Sequence, residues 1–137
     1  MDKYKVAIVD DDEVALENLS FELGKDARFF LKGTARNGKQ GKKLIAKVQP
    51  DLLFLDVELP DMTGMELLQE IRDSVSWNMR IVFYTAYDKY MIYAIRGAAF
   101  DYLLKPIDKK ELEGIIDRFM KKLSLIHISE PTRRVVI

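Results

Sequence analysis

Asp51-Leu52-Leu53-Phe54-Leu55-Asp56 is an apolar run closed abruptly by a carboxylate. Residues 52–55 show no polar alternation, the pattern of a strand buried on both faces in the middle of a parallel sheet. Asp56 then stands at the carboxyl end of a central strand, where open α/β sheets place their ligands. Glu58, Pro60, Asp61 and Gly64 follow, so the chain turns into a loop at once. A carboxylate at the end of a dry strand is costly without compensation, and the question the stretch poses is what compensates Asp56.

On the N-terminal side, Val6-Ala7-Ile8-Val9 is a second apolar run and ends in Asp10, Asp11, Asp12 and Glu13. Leu16, Leu19, Phe21 and Leu23 recur near helical spacing, with Gly24 as expected C-cap. Phe29 to Ala35 reads as a strand. Gly38 to Val48 reads as a helix with Leu44, Ile45 and Val48 on one face, stopped by Pro50. On the C-terminal side, Gly64 to Ile71 is amphipathic and 73–78 is a loop. Ile81 to Tyr84 is a strand ending in Thr85, 89–98 a short helix, and Phe100 to Leu104 a strand ending in Lys105-Pro106. Asp108 caps a last helix whose apolar face is Leu112, Ile115, Ile116, Phe119 and Leu123. Strict β-α alternation predicts an α/β fold with a parallel sheet, right-handed crossovers and helices on both faces. At this length the doubly wound (βα)5 flavodoxin-like order 2-1-3-4-5 is the expected topology.

In such a sheet Asp10, Asp11, Asp56, Thr85 and Lys105 all lie on one edge, near the switch point between the first and third strands. Carboxylates gathered there repel, and a hard divalent cation removes the conflict. Mg2+ takes one or two carboxylates, water and a phosphate oxygen, and Mn2+ can substitute. With the metal bound, Asp56 can act as a carboxylate nucleophile toward a phosphoryl group, with Thr85 and Lys105 stabilising the phosphoryl oxygens. Singly, each residue has a plainer reading: Asp12 and Glu13 as an acidic first helical turn, a lone Asp as a turn residue. The conjunction, each at the end of its own strand, carries the argument.

At these motifs the chain resembles a response-regulator receiver (CheY-like) domain from about residue 4 to residue 123. The matching stretches are Val9-Asp10-Asp11, Leu55-Asp56 with Pro60 and Gly64, Tyr84-Thr85-Ala86, and Asp101-Tyr102-Leu103-Leu104-Lys105-Pro106. The resemblance implies Asp56 as phosphoacceptor, with Asp10, Asp11, Asp56 and the backbone carbonyl of Glu58 as Mg2+ ligands. It implies Thr85 and Lys105 at the phosphoryl group, Tyr102 as an aromatic switch coupled to Thr85, and a cis bond before Pro106. The donor would be a sensor histidine kinase. The domain would catalyse only its own phosphorylation and dephosphorylation, not the turnover of a separate substrate. Tyr87-Asp88-Lys89-Tyr90 and residues 100–107 are similar to the LytR/AlgR subgroup, whose output is a LytTR-type DNA-binding domain. On that reading the chain is the input half of a transcriptional regulator, and DNA is reached only through an output domain beyond it.

Glu58 and Tyr87, two residues after Asp56 and Thr85, are candidates for tuning phosphoryl lifetime. Tyr87, Tyr90 and Tyr93 are spaced to share a face of the fourth predicted helix. The face of that helix, the fifth strand and the fifth helix is the expected homodimer or output surface. Trp77 precedes the fourth strand at the opposite edge and receives no role. Residues 124–137 depart from the family and read as a tail: a linker, the start of a truncated output domain, or foreign residues, with His127 incidental.

Lys and Arg number 22 and so do Asp and Glu, so no overall field favours nucleic acid or membrane. There is no cysteine, which excludes a disulfide framework or thiolate site in this sequence. No apolar run reaches the roughly 18 residues of a membrane span, and the expected compartment is the cytoplasm. Three alternatives are weighed. A haloacid-dehalogenase-like phosphatase wants a second Asp two residues after the nucleophile, where Glu58 stands. A flavodoxin-like cofactor binder wants hydroxyls and glycines, where Asp10-Asp11-Asp12 stand. The third, an unphosphorylated pseudo-receiver, sits poorly with the complete residue set.

Overall fold

The computed structural model describes residues 3–87 and 99–128, with residues 122–128 described as backbone only. The described elements are β1 (Tyr4–Val9), α1 (Glu13–Gly24), β2 (Phe29–Ala35), α2 (Gly38–Val48), β3 (Leu52–Leu55), α3 (Gly64–Ile71), a 3-10 turn (Arg72–Ser74), β4 (Arg80–Thr85), β5 (Asp101–Leu104) and α4 (Lys109–Ile128). The strands form one five-stranded sheet in the order β2-β1-β3-β4-β5, and every pairing is parallel. This is the expected doubly wound topology. The helix anticipated over 89–98, with Tyr90 and Tyr93, lies outside the described residues.

Side chains alternate across each strand, so the sheet feeds two cores. Val6, Ile8, Leu52, Phe54, Val82 and Tyr84 face α1 and α4, where Leu16, Leu19, Ile115 and Phe119 cover them. Ala7, Val9, Leu53, Leu55, Ile81 and Phe83 face α2 and α3, where Ile45, Leu67 and Ile71 close the second layer. The residues of β3 and β4 are buried throughout, as the absence of polar alternation in 52–55 requires.

The helix starts follow their capping chemistry. Asp12 accepts the Ala15 amide at α1, Asn37 the Gln40 amide at α2, and Thr63 and Glu66 form a reciprocal capping box at α3. Asp108 accepts the Lys110 amide at the start of α4.

Two expectations about α1 are corrected. Gly24 is the last helical residue, and the cap is Lys25 in right-handed conformation, whose N–H closes on the carbonyls of Glu22 and Leu23. Phe21 is 64% exposed, because the buried stripe runs through Ala15, Leu16, Leu19 and Leu23 and leaves position 21 outside it. The backbone of α4 also continues past residue 123 to Ile128.

Candidate functional site

The C-terminal ends of β1, β3, β4 and β5 bring the predicted residues to one edge. The Asp56 amide donates to the Val9 carbonyl at 2.9 Å and the Lys105 amide to the Thr85 carbonyl at 2.8 Å, so the ladder runs right up to the site residues. Carboxylate oxygens of Asp10, Asp11 and Asp56 lie within 4.8 Å of one another. Asp10 and Asp56 are buried and Asp11 is exposed.

The ammonium of Lys105 enters this group. Its Nζ donates to Asp10 Oδ1 at 3.0 Å and to Asp56 Oδ2 at 3.2 Å. It lies 2.8 Å from Asp10 Oδ2 and 3.9 Å from Asp12 Oδ2. Amides two residues on turn inward as well: Asp12 N–H donates to Asp10 Oδ1 at 2.9 Å, and Glu58 N–H to Asp56 Oδ1 at 3.2 Å. The peptide bond between Lys105 and Pro106 is cis.

Burial pushes the Asp10 carboxyl up to about 7, and the charge of Asp56 adds to the rise, against the opposing bonds from Lys105 and the Asp12 amide. Burial works to lower the Lys105 ammonium, but its bond to Asp10 and the charges of Asp10 and Asp56 outweigh this and hold it above the ordinary lysine range. The site is therefore a desolvated cluster with more carboxylate than its one cation neutralises.

The donor set fits a hard dication. It is all oxygen, and among the described residues the buried Oδ2 of Asp10 has no hydrogen-bond donor, its neighbouring cation being the Lys105 ammonium at 2.8 Å. Asp11 is exposed, so the group is open to solvent, as suits an ion that ordinarily keeps several water ligands.

The other predicted residues are placed as follows. Thr85 is fully buried at the end of β4, and its hydroxyl oxygen accepts the Tyr87 amide at 3.3 Å. Tyr87 is 46% exposed. Tyr102 is half-buried against the α2–α3 side core and pairs in register with Phe83. Glu58 is half-buried and bridges to Thr63 across the loop after β3. Trp77 donates its indole N–H to the Pro50 carbonyl at 2.8 Å, away from the site.

Sequence reasoning passed over two residues. Tyr84 reads simply as the last apolar residue of β4, yet its ring lies beside Lys105 with Nζ 5.1 Å from the centroid. Asp61 reads as a turn residue, yet its carboxylate accepts the Gly38 and Lys39 amides and ties the loop after β3 to the start of α2.

Fold and site together define a doubly wound α/β domain with an acidic, cation-braced centre at its switch point. The chain belongs to the response regulator receiver domain family, whose family model matches residues 6–117. It is the receiver domain of a two-component response regulator. The transcriptional regulatory protein BtsR of Escherichia coli strain K12 is 38% identical over 125 residues, which is 91% of this chain and 52% of BtsR. An uncharacterized response regulatory protein of Vibrio cholerae is 36% identical over 115 residues, 84% of this chain and 48% of that protein. The chain thus spans about half the length of the curated relatives it matches. Among solved structures, the response regulatory domain of mrkE from Klebsiella pneumoniae superposes with a TM-score of 0.77 at 28% identity, covering 88% of this chain and 98% of that one. The REC domain of AraT, a response regulator from Geobacillus stearothermophilus, superposes with a TM-score of 0.79 at 28% identity, covering 90% and 98%.

Proposed function

We propose that this receiver domain is switched by phosphorylation of Asp56, with a phosphohistidine of a sensor histidine kinase as donor. The observation that carries the reading is the Lys105 ammonium held between the buried carboxylates of Asp10 and Asp56. Asp10, Asp11, Asp56 and the carbonyl of Glu58 are the residues that would hold Mg2+, or Mn2+ in its place. Bound there, the metal would supply charge neutralisation for the carboxylates and the incoming phosphoryl oxygens.

An Asp56 carboxylate oxygen attacks phosphorus. The new O–P bond forms as the N–P bond of the phosphoimidazole breaks, and the electron pair leaves on the imidazole nitrogen, which takes a proton from solvent. Lys105 stands 3.2 Å from Asp56 Oδ2, so a short displacement brings its ammonium to a phosphoryl oxygen on that carboxylate. The Thr85 hydroxyl accepts from Tyr87 and keeps its own proton to donate. Drawing Thr85 toward the phosphoryl group changes the space available to Tyr102, a local charge event that biases a two-state face. Glu58 and Tyr87 control access of the water that ends the signal. The domain turns over no separate substrate.

The responding face contains β5 and α4. Asp101, Lys110, Glu111 and Arg118 help line a cavity of about 290 Å3 there. Charges of both signs on one patch suit a two-fold partner, since each copy can present the complement of the other. Relatives of about twice the length named as transcriptional regulators support a DNA-binding output beyond this chain, and the motifs at 87–90 and 100–107 favour the LytR/AlgR subgroup with its LytTR output. No described helix is long and apolar enough to cross a membrane, in keeping with a cytoplasmic regulator. The receiver unit is residues 1–123, and 124–137 is a tail.

Intact-protein mass after incubation with acetyl phosphate and Mg2+ tests the reading. One phosphoryl adduct is expected, absent with Asp56→Asn and absent with EDTA. A folded wild-type protein that takes no adduct would overturn it.

A further inference from the structure

We infer that Tyr84 is a positioning residue of the phosphoryl site, bracing Lys105 with its ring and the first turn of α1 with its hydroxyl. The inference rests on the reading of Asp56 and Lys105 just given. Among the described residues Tyr84 is the largest fully buried side chain, 1% exposed, and it stands one residue before Thr85 on the opposite face of β4. Its ring lies 5.1 Å from Lys105 Nζ, while the carboxylates of Asp10 and Asp56 hold the same ammonium at 2.8 and 3.2 Å. A lysine stem is long and freely rotating, and an ammonium attracted only by carboxylates is not confined to one place among them. A ring face supplies a second, weaker attraction and a steric wall. Between the two, Nζ has a defined position from which to reach a phosphoryl oxygen.

The hydroxyl does a second job. It donates to the Ala15 carbonyl at 2.9 Å in the interior. Ala15 also gives its own N–H to Asp12 Oδ1 at 3.2 Å. One residue in the first turn of α1 is therefore gripped from both sides, by the cap that follows Asp10 and Asp11 and by the tyrosine beside Lys105. The bond also fixes the ring plane, because a buried phenol must point where its acceptor is.

The test compares Tyr84→Leu with Tyr84→Phe in the full chain, each made with Lys105 present and with Lys105→Ala. The rate of adduct formation from saturating acetyl phosphate with Mg2+ should fall about tenfold in Tyr84→Leu, which loses ring and hydroxyl, and about threefold in Tyr84→Phe, which keeps the ring and loses only the bond to Ala15. In the Lys105→Ala background Tyr84→Leu should lose no more than Tyr84→Phe, since the ring acts through the ammonium and only the hydroxyl's share remains. Equal loss from Tyr84→Leu in both backgrounds, or equal loss for Phe and Leu with Lys105 present, would reduce Tyr84 to a core residue and overturn the inference. An independent readout is the ring-current shift of the Lys105 ε-methylene protons, expected in wild type and Tyr84→Phe and absent in Tyr84→Leu. If wild type takes no phosphoryl group, the functional reading fails alone, and this shift still decides whether the ring braces Lys105.

Discussion

Asp10 Oδ2 and Lys105 Nζ lie 2.8 Å apart in the interior, joining residues 95 positions apart in the chain. The pair closes the two ends of the fold onto one point, with Asp56 as the third member. Its electrostatics lead directly to measurable behaviour.

With metal chelated, the Asp10 carboxyl sits at about 7 in the folded protein against 3.8 for an unperturbed aspartate. The folded state therefore keeps a proton that the unfolded chain releases between those values. The stabilising share of that proton is complete below the unfolded value and disappears as pH rises through the folded one. In EDTA, wild type should lose denaturant resistance relative to Asp10→Asn on going from about pH 5 to about pH 8. Saturating Mg2+ should remove that loss for wild type only. A difference between the two proteins that does not change with pH would refute the assignment.

Lys105→Ala takes away the only cation whose ammonium touches both Asp10 and Asp56 among the described residues. Removing one partner of a buried ion pair costs on the order of 3 kcal/mol. Lys105 itself stays charged through neutral pH, its pKa being raised, so its own titration does not modulate the loss there. Asp10 does: it can take up a proton in the acid range, so the loss should be smaller near pH 5 than near pH 8. Urea denaturation of both proteins in EDTA at the two pH values measures this. Equal stability of variant and wild type at both would sink the prediction.

Arg80 opens β4 at the edge away from the site and is 3% exposed. Among the described residues none of its three guanidinium nitrogens has a hydrogen-bond partner. Its compensation is the Phe100 ring, 5.9 Å away, and burial lowers its pKa. An unpaired buried cation is a liability that an apolar side chain of similar length does not carry. Arg80→Met should therefore stabilise the domain by at least about 1 kcal/mol in chemical denaturation. A less stable variant would mean that the guanidinium is better solvated than its surroundings indicate.

Gly64 starts α3 directly behind Asp56. A Cβ there would stand 2.8 Å from the Asp56 carbonyl oxygen and 3.1 Å from Val57 Cα, and both are backbone atoms. Backbone cannot rotate away as a side chain can, so Gly64→Ala must displace the loop that follows β3. The expected cost is about 2 kcal/mol, in the range of overpacking in a core, together with slower adduct formation at Asp56. Wild-type stability and rate in the variant would show that the loop yields freely.

Much of this was readable before any coordinates. The bounds of β2, α2 and α3 fall where apolar periodicity and the stop at Pro50 put them, because those signals are local: a strand or helix needs only its own residues and their immediate neighbours to declare itself. The sheet order followed from the β-α alternation, since crossover handedness and two-sided burial leave few ways to arrange five parallel strands. The gathering of Asp10, Asp11, Asp56 and Lys105 on one edge was legible for the same reason. Tertiary structure alone decided the rest. It chose which carboxylate sinks to full burial and is pushed toward neutral pH, and which stays open to water. It turned Phe21 outward and brought the Tyr84 ring beside Lys105 and its hydroxyl to Ala15. Those outcomes depend on distances and desolvation set by residues far apart in the chain. A pattern of residue types specifies which strand end a group occupies, and only the packed sheet specifies what that group meets there.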